Sequence, residues 1–234
     1  MIMPYVFYYD PTYILIILAM LISMIASIGM NSTFRTYSNV RSRTGLTGRQ
    51  AAETILRYSG IYDVRIEHIR GNLTDHYDPA TKTLRLSDTV FNSGSVAAIG
   101  VAAHECGHAL QHARGYVPLK LRSALVPAVN FGAKISWVLF ITGFLIRGNA
   151  GQMVVYLGIL LFSLSVLFQL ITLPVEFNAS RRALVMLTDS HILNQEETGM
   201  TRKVLFAAAM TYVAAAIGSL LQVLRLLLLN KRRD

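Results

Sequence analysis

Long uncharged apolar runs, separated by polar and basic stretches, set the pattern of this 234-residue chain. No charged residue occurs between Asp10 and Arg35, and Tyr13 to Met30 is almost continuously apolar. As a helix, that run is long enough to cross the ~30 Å hydrocarbon core of a bilayer. A second run extends from about Leu125 to Ile146 with Lys134 inside it, and a third from about Gly151 to Leu173. Only Arg147-Gly148-Asn149-Ala150 separates them, which predicts a tight helical hairpin. Lys134 is expected either to snorkel from near a helix end or to face the bundle interior. Val204 to Leu224 is the fourth candidate span, and its small residues at 207, 211, 215 and 219 would let helices approach closely.

The stretch between the first and second spans carries different signals. Thr47-Gly48-Arg49-Gln50 reads as a capping box for a helix through Ala51, Ala52, Ile55 and Leu56, ending at Gly60. Val64 to Ile69 alternates like a strand, and Leu73 to Tyr77, the turn 78–82 and Thr83 to Leu86 read as a hairpin. An exposed strand edge there could hold a peptide by strand addition. Val96 to Leu110 is then apolar enough for a buried helix, with Ser93 or Ser95 as its N-cap.

Composition agrees with a membrane setting: 53% of residues are hydrophobic and only 15% charged. Met1 to Asp10 contains no Lys or Arg, so the first run is expected to be a retained helix rather than a cleaved leader. Twelve of the 22 basic residues lie between Asn31 and Ala124, which places that stretch on the cytoplasmic side. Pro174 to Lys203 then returns to the same side. A fourth full span would export Lys231-Arg232-Arg233, so the last segment is either re-entrant or interfacial, or it spans with an exported tail. The net charge of +9 reads as topology signals and contacts to anionic lipid, and no nucleic-acid partner is expected.

The chemistry is concentrated in His104-Glu105-Cys106-Gly107-His108. Residues four apart share a helix face, so His104 and His108 can offer imidazoles to one zinc, with Glu105 beside the open coordination position as acid/base. His112 lies about 12 Å along the helix from His104, too far to complete the set, and is expected to be supporting or exposed. Cys106, the single cysteine, falls on the opposite face and reads as a small buried residue. His76 reads as a structural or surface hairpin residue. A catalytic zinc needs a third protein ligand, and Glu176 in Leu173-Pro174-Val175-Glu176 returns to the correct side. A carboxylate in the first turn after Pro174 would equally suit a helix dipole.

Thr74-Asp75-His76-Tyr77-Asp78-Pro79, Leu84-Arg85-Leu86-Ser87, His104 to His108 and Leu173 to Ala183, in that order behind an apolar N-terminal helix, resemble the YugP-like membrane zinc metallopeptidases over nearly the whole chain. The resemblance implies a gluzincin-type site, with one zinc ion per chain held by His104, His108 and Glu176, and with Glu105 as the catalytic acid/base. Ser180 stands where the similar HtpX-type proteases have Asp, so Asn178, Ser180 or Asp189 would orient the ligands. Arg181, Arg182 and His191 are candidate oxyanion donors.

The expected fold is a mainly α membrane protein: a zincin-like α+β catalytic part, with the HExxH helix and a small hairpin or sheet, joined to a bundle of three to four transmembrane helices. Its expected divisions are an N-terminal membrane helix (1–34), a soluble part with the metal helix (35–123), a membrane hairpin (124–173), a third-ligand segment (174–203) and a C-terminal membrane helix with a basic tail (204–234). The expected function is zinc-dependent hydrolysis of a peptide or protein substrate at the cytoplasmic face of the plasma membrane. The alternative is a non-catalytic membrane scaffold tied by a structural zinc, which a fourth ligand such as His112 or His191 would support.

Overall fold

The computed structural model describes residues 10–146 and 148–231. The residues before Asp10, Arg147 of the hairpin turn and Arg232-Arg233 of the basic tail lie outside them. The chain runs α1 (Tyr13–Ser38), α2 (Gly48–Tyr58), β1 (Arg65–His68), β2 (His76–Asp78), β3 (Thr83–Leu86), α3 (Val96–Ala113), α4 (Val117–Leu145), α5 (Asn149–Asp189) and α6 (Gln195–Lys231).

Four helices, α1, α4, α5 and α6, are long and apolar enough to cross a membrane. The most apolar stretch of α1 buries none of its residues and exposes Ile14, Ile17, Met20, Met24 and Ile25, a surface that suits lipid tails rather than water. Lipid gives little hydrophobic drive for helix pairing, so α4 and α5 pack through small residues instead. A Cβ on Gly143 would sit 2.8 Å from the Val155 nitrogen, and one on Gly158 would sit 3.0 Å from the Ser136 carbonyl oxygen. Lys134 is exposed on α4 and does not face the bundle interior.

The third span does not end at Leu173. Helix α5 continues unbroken through Pro174 for 41 residues, about 61 Å at the usual rise. Glu176 is therefore inside a helix and not in a first turn. Proline in a helix interior costs ~3 kcal/mol through its missing N–H and its ring clash. Continuity is favoured because Val175, Ala179, Ala183 and Leu187, four apart, are all fully buried along one face of α5.

Helix α6 begins in a capping box: the Asn194 side chain accepts from the Glu197 N–H at 2.9 Å, and the Glu197 carboxylate accepts from the Asn194 N–H at 3.0 Å. It then runs as one 37-residue helix, with no re-entrant break among the described residues. Near its end Arg225 lies 4.0 Å from Asp10 and stacks over Tyr13, which supplies a counter-charge and an aromatic face at the start of α1. The small residues expected to form its contact stripe are displaced from it: Ala209, Ala214 and Ala216 are buried, whereas Ala215 is exposed. The stripe is spread because α1, α3 and α5 all pack on α6, each on its own sector.

Between α1 and α4 lies the second core. The Thr47–Gln50 capping box is present, and Gly60 closes α2 with φ +72°. The hairpin pairs Tyr77 with Leu84, and β1 joins the other side of β3 in parallel, giving the order β1-β3-β2. The central strand β3 buries Leu84 and Leu86 against Ile55, Val96 and Ile99, so the sheet becomes a floor under α2 and α3. This leaves β2 as an edge strand beside the metal-motif helix.

Candidate metal centre

Ser95 caps α3 by accepting from the Ala98 N–H at 3.2 Å. Almost every residue of the first two turns is buried, so the helix is fixed before its polar face is reached. Cys106 lies on the far face, its thiol 3.8 Å from the Ala52 carbonyl oxygen of α2, and burial pushes its pKa up. It packs and does not react. On the near face, Gly107 lets α3 approach α5: a Cβ there would meet the Ala179 carbonyl oxygen at 2.5 Å.

That approach brings His104, His108 and Glu176 together, with candidate ligand atoms all within 4.8 Å of one another. The Nε2 atoms of His104 and His108 lie 3.2 and 3.5 Å from one oxygen of Glu176. Tetrahedral zinc at its usual ligand distances separates neighbouring donor atoms by about 3.3 Å. The His108 tautomer also fits. The Gln111 amide nitrogen donates to the Val175 carbonyl at 2.8 Å and to Asn178 Oδ1 at 3.0 Å, which leaves Gln111 Oε1 to accept from His108 Nδ1 at 3.1 Å. With its proton on Nδ1, His108 presents a bare Nε2 lone pair to a carboxylate oxygen, an arrangement that calls for a shared cation. The carboxylates of Glu176 and Glu105 raise the His108 pKa even though burial opposes the imidazolium. Electrostatics that draw in a proton also draw in a metal ion.

Ser180 supports the other imidazole, its hydroxyl 3.1 Å from His104 Nδ1. Asn178 acts one step further out, through Gln111, and it also accepts from Arg182 Nε at 2.7 Å. Asp189 ends α5 exposed, away from the cluster. The second oxygen of Glu176 accepts from the Arg122 guanidinium of α4 at 2.8 Å.

Glu105 is buried, and one of its oxygens accepts from the backbone N–H of Tyr77 at 2.9 Å. The outer edge of β2 is therefore turned towards the motif helix. His112 lies 2.8 Å from the Tyr77 hydroxyl and pins β2 to α3, outside the ligand cluster. Burial pushes the Tyr77 phenol up to about 12, so it keeps its proton. His76 is exposed, with Nδ1 on the Thr74 carbonyl at 2.9 Å. Asp75 lies beside Glu105 and is held by the Ser87 N–H and hydroxyl at 2.7 and 2.8 Å, while burial raises its pKa.

Two cavities meet at the cluster, sharing Asp75, Glu105, Glu176 and Tyr212. Arg181, Arg182 and His191 line neither of them. Arg182 stacks over Tyr116, Arg181 lines a groove between α5 and α6, and His191 is exposed past the end of α5. Sequence reasoning missed Gln111, Arg122 and Tyr212. The spacing of Gln111, three residues after His108 on one helix face, could have exposed it. Arg122 is hidden among topology-determining basic residues, and Tyr212 carried no signal beyond being an aromatic hydroxyl within a span.

The family described as "Putative neutral zinc metallopeptidase" matches residues 12–231. "Putative membrane protease YugP" of Bacillus subtilis (strain 168) is 48% identical over 223 residues, covering 94% of this chain and 97% of that relative. No solved structure matches the chain. Because the family match runs from the first membrane helix to the last, with the motif helix and α5 inside it, the chain belongs to this zinc metallopeptidase family.

Proposed function

We propose that the protein is an integral-membrane zinc endopeptidase of gluzincin type, with His104, His108 and Glu176 as ligands of one zinc ion. The observation that carries this reading is the lone-pair arrangement: two Nε2 atoms converge on one Glu176 oxygen at 3.2 and 3.5 Å, and Gln111 and Ser180 occupy the opposite ring nitrogens. Three ligand groups and two cavities reaching Glu105 favour a working site over a structural one, which would be closed by a fourth protein ligand.

Zinc bound there supplies a Lewis acid that acidifies a water and polarises a carbonyl. Glu105 is placed to take a proton on the carboxylate oxygen not held by Tyr77, and then to deliver it to the leaving amine. Arg122 holds one oxygen of Glu176, which leaves the other, facing the two histidines, as the one that would hold the metal. Tyr212, which lines both cavities, is a candidate donor for charge developing on the substrate oxygen. The outer edge of β2 faces the motif helix with its Tyr77 N–H on Glu105, and an extended peptide adding to that edge would displace this bond. Four spans, with the site at the cytoplasmic face of the plasma membrane, complete the reading.

Glu105→Gln tests it. The variant should bind zinc as the wild type does and lose at least about 1,000-fold in cleavage of an unfolded protein, of the order expected when a general base is removed from a metal site. Zinc retention with wild-type turnover would refute the reading.

A further inference from the structure

The two cavities beside Glu105 differ in character. One is walled by His76, Tyr77, Arg122 and Ser123 together with Pro79, Leu119 and Val126, and mixes polar with apolar groups. The other, about 140 Å³, has an apolar wall made by Met30 of α1, Val101 of α3 and Val204, Leu205 and Ala208 of α6, facing a polar end that carries Asp75, Glu105 and Glu176. An apolar cavity of about 150 Å³ is known to hold a benzene-sized guest and to stay dry without one. A single leucine, methionine or phenylalanine side chain has the right bulk for such a space. An alanine would leave most of it empty and forfeit the contacts.

The polar end of this cavity holds His104, Glu105 and Glu176, so an occupant of its apolar wall belongs to a residue close to the bond being cut. Resting on the peptidase reading above, we propose that the cavity is a specificity pocket that selects polypeptides with one large apolar side chain beside the scissile bond. Met30, Val204, Leu205 and Ala208 set its size. Because membrane helices supply these walls, selectivity is built into the bundle and not into the hairpin. The mixed cavity that shares Glu105 accepts the flanking residues with less discrimination.

Ala208 is the residue to change, since a larger side chain there projects into the pocket from a half-buried position. Full-length zinc-loaded protein in detergent would be given reduced, unfolded casein, and its cleavage sites mapped by mass spectrometry. The wild type should favour Leu, Met or Phe at one fixed position by about 10-fold or more over Ala, Ser or Gly, the discrimination an apolar pocket provides. Ala208→Phe, and in graded form Ala208→Leu, should move that preference towards small residues. Cleavage without preference at any position, or an unchanged profile in a folded Ala208 variant, would overturn the pocket while leaving the peptidase reading intact.

A second measurement does not need turnover. Glu105→Gln would be titrated with two fluorescent peptides that differ only by Phe or Ala, and fluorescence polarisation read. About 10-fold tighter binding of the Phe peptide, removed by adding Ala208→Phe, supports the pocket even if no substrate is cut. Equal affinities count against it.

Discussion

Glu176 divides its two oxygens between different partners, one facing the histidine pair and the other held by Arg122. Its environment is therefore specified from three directions: α3 in front, α4 behind, and the buried face of α5 beneath. Gln111 has a similar burden at His108, because one amide satisfies the ring, the Val175 carbonyl and Asn178 at once. Gln111→Leu keeps the side chain's bulk but leaves those partners unmatched and frees the imidazole to change tautomer. Zinc affinity should fall by about 10- to 100-fold, the usual cost of losing a group that orients a ligand, as read by competition with a chromophoric chelator. An unchanged affinity would show that the amide does not hold the ring. At this scale the sequence is partly legible. His104, Glu105 and His108 announce themselves by spacing, and Glu176 by an acid set among apolar neighbours. Arg122 and Tyr212 are invisible because their relevance depends on where α4 and α6 come to lie.

Among the elements, the hairpin is the part whose sequence was clearest, since alternation and the Asp78-Pro79 turn both point to it. The parallel pairing of β1 with β3 was not legible, because a four-residue strand carries no record of its partner. The length of α5 was hidden for another reason: Pro174 suggests a boundary, and only the packed face around it shows why the helix continues. Asp78 gives the hairpin a pH signature. The Thr81 hydroxyl, the Ala80 N–H and the Arg85 guanidinium hold its carboxyl down to about 2. A depressed native pKa adds stability above the unfolded value near 3.8, and that stability is lost as pH falls towards 2. Asp78→Asn should therefore lower the thermal midpoint at pH 5 by a small amount, since the group is well solvated, with wild type and variant converging near pH 2. Parallel melting curves across that window would show that the carboxylate is not coupled to folding.

At the level of the whole molecule, the division into an apolar bundle and a compact α+β core follows from the run lengths. How they join does not. The joint is made by α3, α5 and α6; the buried face of α5 does repeat every four residues, but nothing in that repeat names the helix it meets. Orientation is open to direct measurement because the buried Cys106 does not compete for reagents. Arg43→Cys, with its side chain well exposed, should react with a membrane-impermeant maleimide only after cells are opened. Asn149→Cys, at the turn between α4 and α5, should react in intact cells. The reverse pattern would place the metal centre on the outer side.

The candidate ligands are supplied in two instalments, His104 and His108 from α3 and Glu176 from α5. During synthesis the histidine pair is complete long before the carboxylate exists, and the intervening chain must first fold back as the α4–α5 hairpin. On the zinc-site reading, a nascent or stalled chain would lack the third ligand and hold zinc weakly. If the chain is the peptidase proposed above, hydrolytic competence would begin only once α5 has packed against α3.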